Sequence, residues 1–422
     1  VFEAFRIYQQ AYVDEHSLTE FLTGPSFSIY SAEPIGTSSG LRYYQENAQH
    51  LVEVMESTPG CGTADNSTPA DIATASTLQE RFGGDCPNVA AELQQISDAY
   101  GYALARIEET NKQDFNTTYD KVWMPSDVVT AISPFLNRNL HIDPAGSAMD
   151  AGKHVLSSPP GSEKWKVAKT LDEVLVIDDV FSEEAIEKIR LFTDRSTLFH
   201  AQKPGGYQGA YLTEGFSAPV LAQAFAELQA ALPSILCKHR LTNAWAYKYD
   251  SYDGVENVST KTGKANQPSD GIGVHADSAA VNINCWLVPD SSISDPEYGG
   301  MKVWPTRPPL DWDTSYYNQG DHMLIEQEDD GVFRYRQRAN LNYVEMNQFI
   351  KTHEPQVIPY KKNRCVIFDS ALLHATNKVR FRKGIRNRRI NLTFLAGLMR
   401  DTCEAVEERS KAGRAAAVMH RK

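Results

Sequence analysis

The second half of the chain is a succession of short β-type runs, and this pattern most constrains the fold. The runs follow two amphipathic helical segments, residues 181–192 and 217–232, and are separated by Gly, Asp, Pro and Asn. Ser182 is a candidate N-cap of the first segment, with acidic residues in its first turn. Many short strands with turn signals between them are typical of sandwiches and jelly-roll barrels. We therefore predict an α+β fold with a sandwich or jelly-roll core and flanking helices.

The first 155 residues have a different pattern. Residues 41–57 and 88–110 show apolar side chains at three- and four-residue spacing, which indicates amphipathic helices. A stretch rich in Gly, Ser and Pro, residues 143–165, separates this part from the β-rich part. We predict a mainly helical N-terminal domain over residues 1–155, a β-rich barrel domain over 172–400 and a C-terminal helix over 401–422.

Charge is unevenly distributed and bears on the choice of partners. Residues 1–155 contain 21 Asp and Glu against 8 Lys and Arg, a net charge of −13, whereas the remainder has 33 against 34, a net charge of +1. An acidic first third argues against nucleic acid as its partner. No apolar run reaches the length of a membrane span. The chain starts at Val1 rather than Met, which is compatible with a targeting segment that has been removed.

The six cysteines contain no CxxC pair, so a zinc knuckle or ribbon is not expected. Cys285 and Cys365 lie in apolar strand-like runs, and we expect both to be small buried hydrophobic residues. Cys61 and Cys86 lie in loops flanked by Gly and Pro. They would form a disulfide in an oxidising compartment and remain thiols in a reducing one.

One β-type run, residues 271–286, carries a cluster of polar residues that strands usually avoid. His275 and Asp277 are two apart, so their side chains point the same way. His374 follows the strand-like residues 365–369 and is the best candidate for a third ligand. Two imidazoles and one carboxylate suit non-heme Fe(II), because they leave coordination positions open. The other nine histidines show no ligand-like spacing.

A second polar face is predicted in the run "NRRINLTF", residues 387–394. The two-residue period of a strand places Arg389, Asn391 and Thr393 on one face and apolar residues on the other. A buried Arg needs an anionic partner, and a dicarboxylate held by both arms of the guanidinium would supply one.

Over residues 172–400 the chain resembles the iron(II)/2-oxoglutarate-dependent dioxygenases, in the prolyl-4-hydroxylase-like branch. The resemblance rests on His275-x-Asp277, His374 and Arg389-x-Asn391. The stretches "YKYDSYDG" and "GVHADSAAVNINCWLVPD" are similar to oxygenase domains appended to bacterial tetratricopeptide-repeat proteins. The resemblance implies a double-stranded β-helix (jelly-roll) that binds Fe(II), 2-oxoglutarate and O2, with ascorbate as a further candidate cofactor. It also implies that Arg389 contacts the far carboxylate of 2-oxoglutarate.

The resemblance suggests further residues at the co-substrate. A Tyr on the strand before the His-x-Asp motif often touches it, and Tyr249 fits that position, with Tyr247 as second choice; the alternative is that both are core tyrosines. Asn284, or Asn282, would hydrogen-bond co-substrate or substrate, with Trp286 on the same strand face. The alternative is that these amides only satisfy nearby backbone groups. The other face, residues 281, 283, 285 and 287, is apolar and predicted to be core.

The implied reaction is hydroxylation or desaturation of an unactivated C–H of a small molecule, with release of succinate and CO2. Halogenation is not expected, because the carboxylate Asp277 is present. Residues 305–353 form a long aromatic-rich insertion that could cover a substrate or pack on itself. Alternatives are a peptidyl hydroxylase on the same fold, a non-catalytic scaffold protein and a zinc-dependent hydrolase using the same three ligands.

Overall fold

The chain folds as mixed helix and antiparallel sheet, so the predicted α+β class is confirmed. The computed structural model describes residues 35–37, 45–46, 48–50, 52–53, 86–110, 121–123, 127, 131, 149–167, 171, 173–194, 199, 201–203, 207–212, 216–249, 272–312, 323–327, 333–337, 342–382 and 384–419. The α-helices of these ranges include α1 (Cys86–Thr110), α2 (Glu183–Asp194), α3 (Pro219–Ala231), α4 (Asn342–Thr352) and α5 (Cys403–Met419). The strands are β1 (Ile35–Thr37), β2 (Lys121–Trp123), β3 (Leu175–Ile177), β4 (Ala201–Lys203), β5 (Tyr207–Tyr211), β6 (Leu241–Tyr249), β7 (Val281–Trp286), β8 (Met301–Val303), β9 (Met323–Gln327), β10 (Phe333–Gln337), β11 (Gln356–Ile358), β12 (Cys365–Asp369), β13 (His374–Thr376) and β14 (Ile390–Ala396).

Two antiparallel sheets form the centre of the molecule. The larger sheet has seven strands in the order β3-β12-β7-β14-β6-β5-β4, and the smaller has three in the order β11-β8-β13. A bridge between His275 and His374 adds the segment before β7 to the smaller sheet at β13. Two further pairs, β1 with β2 and β9 with β10, lie outside these sheets.

The larger sheet separates two hydrophobic layers. On one face Ile283 of β7 and Leu392 of β14 join a buried cluster with residues of α2 and α3, such as Ile189 and Leu221. Burial of these side chains supplies most of the driving force that holds helices to a sheet. The apolar face predicted for residues 281, 283, 285 and 287 is therefore confirmed.

The opposite face of the larger sheet meets the smaller sheet. Trp286 and Phe368 from the larger sheet contact Met301 and Val303 of β8 in a second buried cluster. The polar residues of β7 and β14 lie on this inner face, between the sheets, so the period-two alternation carries them toward the smaller sheet.

Cys285 and Cys365 are bonded to each other, which corrects the expectation of two separate hydrophobic thiols. They lie directly opposite one another in the β7–β12 ladder, with their Cα atoms 4.1 Å apart. Directly opposed residues of antiparallel strands bring their Cβ atoms close enough for such a bond. This pairing depends on the register between two strands that are distant in the sequence. Local sequence patterns do not predict that register.

We expect the double substitution Cys285→Ala, Cys365→Ala to lower the free energy of unfolding by about 2–4 kcal/mol, because the bond closes a long loop in the unfolded chain. Urea denaturation without reductant measures this change. Adding reductant to the wild-type protein should produce a loss of similar size once the bond opens. If neither treatment changes the midpoint, the two sulfurs are not joined in the folded protein.

The predicted helix at residues 88–110 is confirmed as α1. Leu93, Ile96 and Tyr100 of α1 belong to the same buried cluster as α2 and α3. That residues 1–155 form a separate, mainly helical domain stays a prediction. Whether Cys61 and Cys86 form a disulfide or remain thiols lies outside the described side chains. Among the described residues, none of the helices is both long and apolar enough to cross a bilayer.

The insertion 305–353 contributes α4 and a buried aromatic contact. Trp312 and Phe349 lie with ring centroids 5.8 Å apart. With Met346 of α4 they pack against Ala276 and Ala375, which flank the predicted metal ligands. For these described aromatic residues the packing interpretation therefore applies. The other aromatic side chains of the insertion lie outside the described part of the chain.

Candidate metal and co-substrate site

The structure brings the three predicted ligands His275, Asp277 and His374 together at one end of the space between the sheets. One ligand atom of each lies within 4.8 Å of the others. The Nε2 atom of His374 is 3.3 Å from Asp277 Oδ2, and that of His275 is 3.9 Å from Asp277 Oδ1. The side chains are largely buried, between 5% and 16% exposed. Such a convergence of two imidazoles and a carboxylate is a metal-binding geometry.

Backbone contacts fix the orientation of both imidazoles. The Nδ1 atom of His275 lies 2.8 Å from the carbonyl of Gly273, and that of His374 lies 3.0 Å from the carbonyl of Leu372. A ring that donates its Nδ1 proton to a carbonyl presents an unprotonated Nε2 to a metal. Each Nε2 faces Asp277, so both rings are oriented for the same ion.

The carboxylate of Asp277 is held by its neighbours. Asn282 donates a hydrogen bond of 2.6 Å to its Oδ2 atom. Burial alone would raise the pKa of Asp277, but the hydrogen bond to His374, the imidazole charges and the Asn282 amide together lower it below its ordinary value. Asp277 is therefore an anion at neutral pH, as a metal ligand must be.

Substitution of Asn282 should weaken metal binding without removing a ligand. We expect Asn282→Ala to lower the affinity for Fe(II) or Co(II) by about 10- to 100-fold, because outer-shell partners of metal ligands have effects of this size. Direct titration of the purified protein measures it. The matched control is Asn377→Ala, the same substitution at an asparagine whose amide donates to the Glu297 carbonyl and not to Asp277. Equal affinities in wild type and Asn282→Ala would contradict this role.

Arg389 lies directly before β14 and is one of the largest fully buried side chains, with 1% exposure. Its Nε atom donates to the Gly299 carbonyl at 2.5 Å, and its Nη1 atom has no hydrogen-bond partner among the described residues. Gly299 has φ +84°, a conformation that favours glycine. No ion pair joins Arg389 to a carboxylate of the described residues, and burial lowers its pKa, although a guanidinium stays charged in proteins. A buried positive charge of this kind requires an anion.

Arg388 points away from this space. Its Nη2 atom donates to Glu46 at 2.9 Å, on the side of the N-terminal helical residues. The two adjacent arginines thus project to opposite sides, as the alternation of the strand requires.

Aromatic side chains border Arg389. The guanidinium carbon lies 4.6 Å from the ring centroid of Tyr249 and 5.8 Å from that of Trp286. The Tyr249 hydroxyl is 3.1 Å from the Thr376 hydroxyl, and Tyr247 instead pairs with Tyr211 at 3.0 Å. Tyr249 is therefore the tyrosine beside the guanidinium, and burial raises the pKa of its hydroxyl.

The asparagines form a continuous hydrogen-bonded chain from the metal ligands toward Arg389. The amide of Asn391 donates to Asn284 at 2.7 Å, and that of Asn284 donates to Asn282 at 2.6 Å. Asn282 in turn holds Asp277, and the Trp286 indole donates to Asn391 at 2.9 Å. A fully satisfied buried network is rigid, so the walls between the two charged centres are fixed.

One cavity connects these parts. It is lined by all three candidate ligands and by the four predicted co-substrate residues, together with aromatic, apolar and hydroxyl side chains. These residues are Trp245, Tyr247, Tyr249, Ile272, His275, Asp277, Asn284, Met301, His374, Ala375, Thr376, Arg389, Asn391 and Thr393. The candidate ligands and Arg389 therefore border the same space.

Sequence reasoning did not single out Thr376, and it assigned Thr393 only to a strand face. Thr376 follows His374 by two residues on β13, so the period-two rule could have placed it on the same face. The Thr393 hydroxyl accepts a hydrogen bond from the Asn391 amide and donates one to Asn284, both at 2.9 Å. Trp245 precedes Tyr247 by two residues on β6, so the same rule could have placed it on the face of Tyr247 and Tyr249.

The sequence matches no protein-family model and none of the curated proteins compared with it. Solved structures that the fold resembles include SnoK, described as a non-heme alpha ketoglutarate dependent carbocyclase from nogalamycin biosynthesis, at 10% identity, covering 61% of this chain and 94% of SnoK with a TM-score of 0.35. EctD from S. alaskensis, with 2-oxoglutarate and 5-hydroxyectoine, matches at 14% identity over 58% of this chain and 81% of EctD, with a TM-score of 0.34. An oxidoreductase of the 2OG-Fe(II) oxygenase family from Burkholderia pseudomallei matches at 11% identity over 59% of this chain and 99% of that protein, with a TM-score of 0.30. Because these TM-scores are low, the functional argument rests on the site itself.

Proposed function

We propose that the protein is an Fe(II)- and 2-oxoglutarate-dependent dioxygenase. One observation supports this most strongly: a single buried cavity is lined by His275, Asp277 and His374 and also by the guanidinium of Arg389, for which no anionic partner is found among the described residues. A metal site alone would have no need of the buried arginine. A co-substrate with a chelating keto acid at one end and a carboxylate at the other would use both.

The residues fit the implied metal. Two neutral imidazoles and one carboxylate are the facial set of non-heme Fe(II) enzymes and leave positions open for other ligands. Iron bound there, with O2, would supply the oxidising chemistry that couples loss of CO2 from 2-oxoglutarate to oxidation of a substrate C–H bond.

The chain's own residues would bind and orient the reactants. The carbonyls of Gly273 and Leu372 accept from the Nδ1 atoms of the histidines and so direct both Nε2 atoms toward Asp277, and Asn282 fixes the carboxylate of Asp277. The free Nη1 atom of Arg389 would donate to the far carboxylate of 2-oxoglutarate. We assign Tyr249, Asn284 and Asn391 to the walls of this co-substrate space. Trp286 holds Asn391 and thereby orients it.

We also propose the corresponding architecture. The seven- and three-stranded sheets would be the two sheets of a double-stranded β-helix, with its oxygenase domain over residues 172–400 and the insertion at 305–353. Residues 1–155 would form the N-terminal domain. The last segment, 401–422, would be a C-terminal addition that contains α5.

A small molecule is the proposed substrate, hydroxylated or desaturated with release of succinate and CO2. Trp245, Tyr247, Ile272 and Met301 give the cavity an aromatic and apolar wall. Concave sites of this composition suit small, largely apolar ligands. A peptidyl substrate is the alternative on the same fold. A zinc hydrolase would leave Arg389 without a role, and a scaffold protein would leave both charged centres without one.

The test is a screen of small molecules against protein loaded with Fe(II) and, in parallel, with Zn(II). We expect a product that has gained one oxygen atom or lost two hydrogen atoms, detected by mass spectrometry, only with Fe(II), 2-oxoglutarate and O2 together. His374→Ala is the inactive control. A hydrolytic product with Zn(II), independent of 2-oxoglutarate, would favour the hydrolase instead.

A further inference from the structure

A second group of metal-ligating side chains lies away from the iron cavity. Cys237, His239 and Cys403 each offer one ligand atom, and these atoms all lie within 4.8 Å of one another. Cys237 and His239 belong to the turn between α3 and β6, and Cys403 is the first residue of α5. None of the three lines the cavity that contains His275 and Arg389.

The imidazole of His239 is the most informative member of the group. His239 is 3% exposed, and its Nδ1 atom is buried without a hydrogen-bond partner in the part of the chain that the structure describes. It packs closely on Gly397, where an added Cβ would lie 2.4 Å from Nδ1. A buried polar atom with no partner costs free energy. The ring is therefore held beside two thiols at a cost that its protein contacts do not offset.

The two cysteines are free thiols with weak contacts. Both are half-buried. The Sγ atom of Cys403 lies 3.5 Å from the carbonyl of Ser234 and 3.7 Å from that of Ile235. Burial raises the pKa of Cys403 to about 12, and the neighbouring Cys237 thiol adds to this shift. A divalent cation would convert both thiols to thiolates and compensate their charge.

The composition of the group selects the kind of metal. Two thiolates and an imidazole are ligands for Zn²⁺, which is bound in tetrahedral geometry with Zn–S distances of about 2.3 Å and Zn–N distances of about 2.0–2.1 Å. Tetrahedral thiolates on one zinc are roughly 3.8 Å apart at those bond lengths. Small side-chain movements from the observed separations would bring the atoms to that spacing. A disulfide between the cysteines would leave His239 as the only ligand of the three.

A cavity beside the group leaves room for a fourth ligand. His239 and Cys403 line a separate cavity of about 640 Å³, whose wall also includes Arg307, Asp369 and Glu404. A water molecule there would complete the tetrahedron. The arrangement joins the start of α5 to the turn before β6, where Lys238 also contacts Glu407 of α5.

We propose that Cys237, His239 and Cys403 bind one Zn²⁺ ion that fixes the C-terminal helix α5 to the turn before β6. The site is separate from the proposed iron centre and does not depend on it. It adds a structural metal to a chain whose cysteine spacing contains no zinc motif.

The experiment is metal titration of the reduced, full-length protein with Co²⁺ and then Zn²⁺, using His275→Ala to remove the iron centre. We expect His275→Ala to bind one equivalent of Co²⁺ with a thiolate charge-transfer absorption, which Zn²⁺ displaces. Adding Cys403→Ser or Cys237→Ser should weaken that absorption, because one of the two thiolates is lost, and should weaken binding by at least about 10- to 100-fold, the range for lost metal-site partners. Thr402→Ser, next to Cys403, is the matched control and should bind as His275→Ala does.

Three results would overturn the site. The first is the absence of thiolate absorption in His275→Ala while its circular dichroism shows a native fold. The second is unchanged Co²⁺ binding after both cysteine substitutions. The third is a Cys237–Cys403 disulfide that, once reduced, gives a protein with no affinity for Zn²⁺. Because each cysteine is replaced in a separate variant, the test still gives an answer if one of the two variants fails to fold.

Discussion

Arg389→Ala should lose most of the affinity for 2-oxoglutarate while keeping iron. The guanidinium is buried beside Tyr249 with its Nη1 atom unpaired, so it is placed to hold a carboxylate in a desolvated pocket. Truncating one partner of such a pair costs on the order of 2–5 kcal/mol. That corresponds to a roughly 30- to several-thousand-fold weaker dissociation constant. Titration with 2-oxoglutarate under anaerobic Fe(II) measures it.

Arg388→Ala is the matched control for this result. Arg388 is the neighbouring residue, has the same charge and pairs with Glu46 on the other side of the strand. The Arg388→Ala variant should bind 2-oxoglutarate as the wild type does. The assignment fails if Arg388→Ala loses the co-substrate and Arg389→Ala retains it. Arg389→Lys should recover only part of the affinity, because an ammonium group cannot bind a carboxylate through two parallel hydrogen bonds.

Substitution of any one of His275, Asp277 and His374 by Ala should remove stoichiometric iron binding. Each provides one of three ligands, and we expect the affinity to fall by more than about 100-fold, beyond the range seen for outer-shell partners. The measurement is iron content after loading with Fe(II) and gel filtration. 2-Oxoglutarate binding should fall as well, because the keto acid would have no metal to chelate.

His154→Ala is the control for the ligand substitutions. His154 lies on the surface, 51% exposed at its side chain, and contacts only Glu227 among the ion pairs of the described residues. The His154→Ala variant should retain a full equivalent of iron. If all three ligand variants retain iron as His154→Ala does, the metal lies elsewhere in the chain.

The residues that sequence analysis predicted well depend on short-range rules. His275 and Asp277 share a direction because they are two residues apart, and Arg389 faces the cavity because the apolar residues of β14 face the helices. Such alternation is visible in the sequence itself. The apolar layer at residues 281, 283, 285 and 287 follows from the same rule.

The features that the sequence did not reveal depend on pairing between distant segments. Cys285 meets Cys365 only because β7 and β12 pair in one register. Cys403 meets Cys237 and His239 only because α5 packs beside the turn before β6. The contact of Asn282 with Asp277 is local by contrast, but it depends on a bend of the chain between the two residues that the strand period does not predict. A one-residue slip in register would move each strand side chain to the opposite face, so local patterns cannot specify these contacts.

The most direct test of the proposed oxygenase is to follow 2-oxoglutarate itself in the absence of an added substrate. Purified protein is incubated with Fe(II), O2 and 2-oxoglutarate labelled at its keto acid carboxylate, and CO2 and succinate are measured together. We predict slow, equimolar release of CO2 and succinate that requires Fe(II) and is lost in both His374→Ala and Arg389→Ala. Full recovery of intact 2-oxoglutarate from protein that retains its iron, or release that persists in both variants, would contradict the proposal.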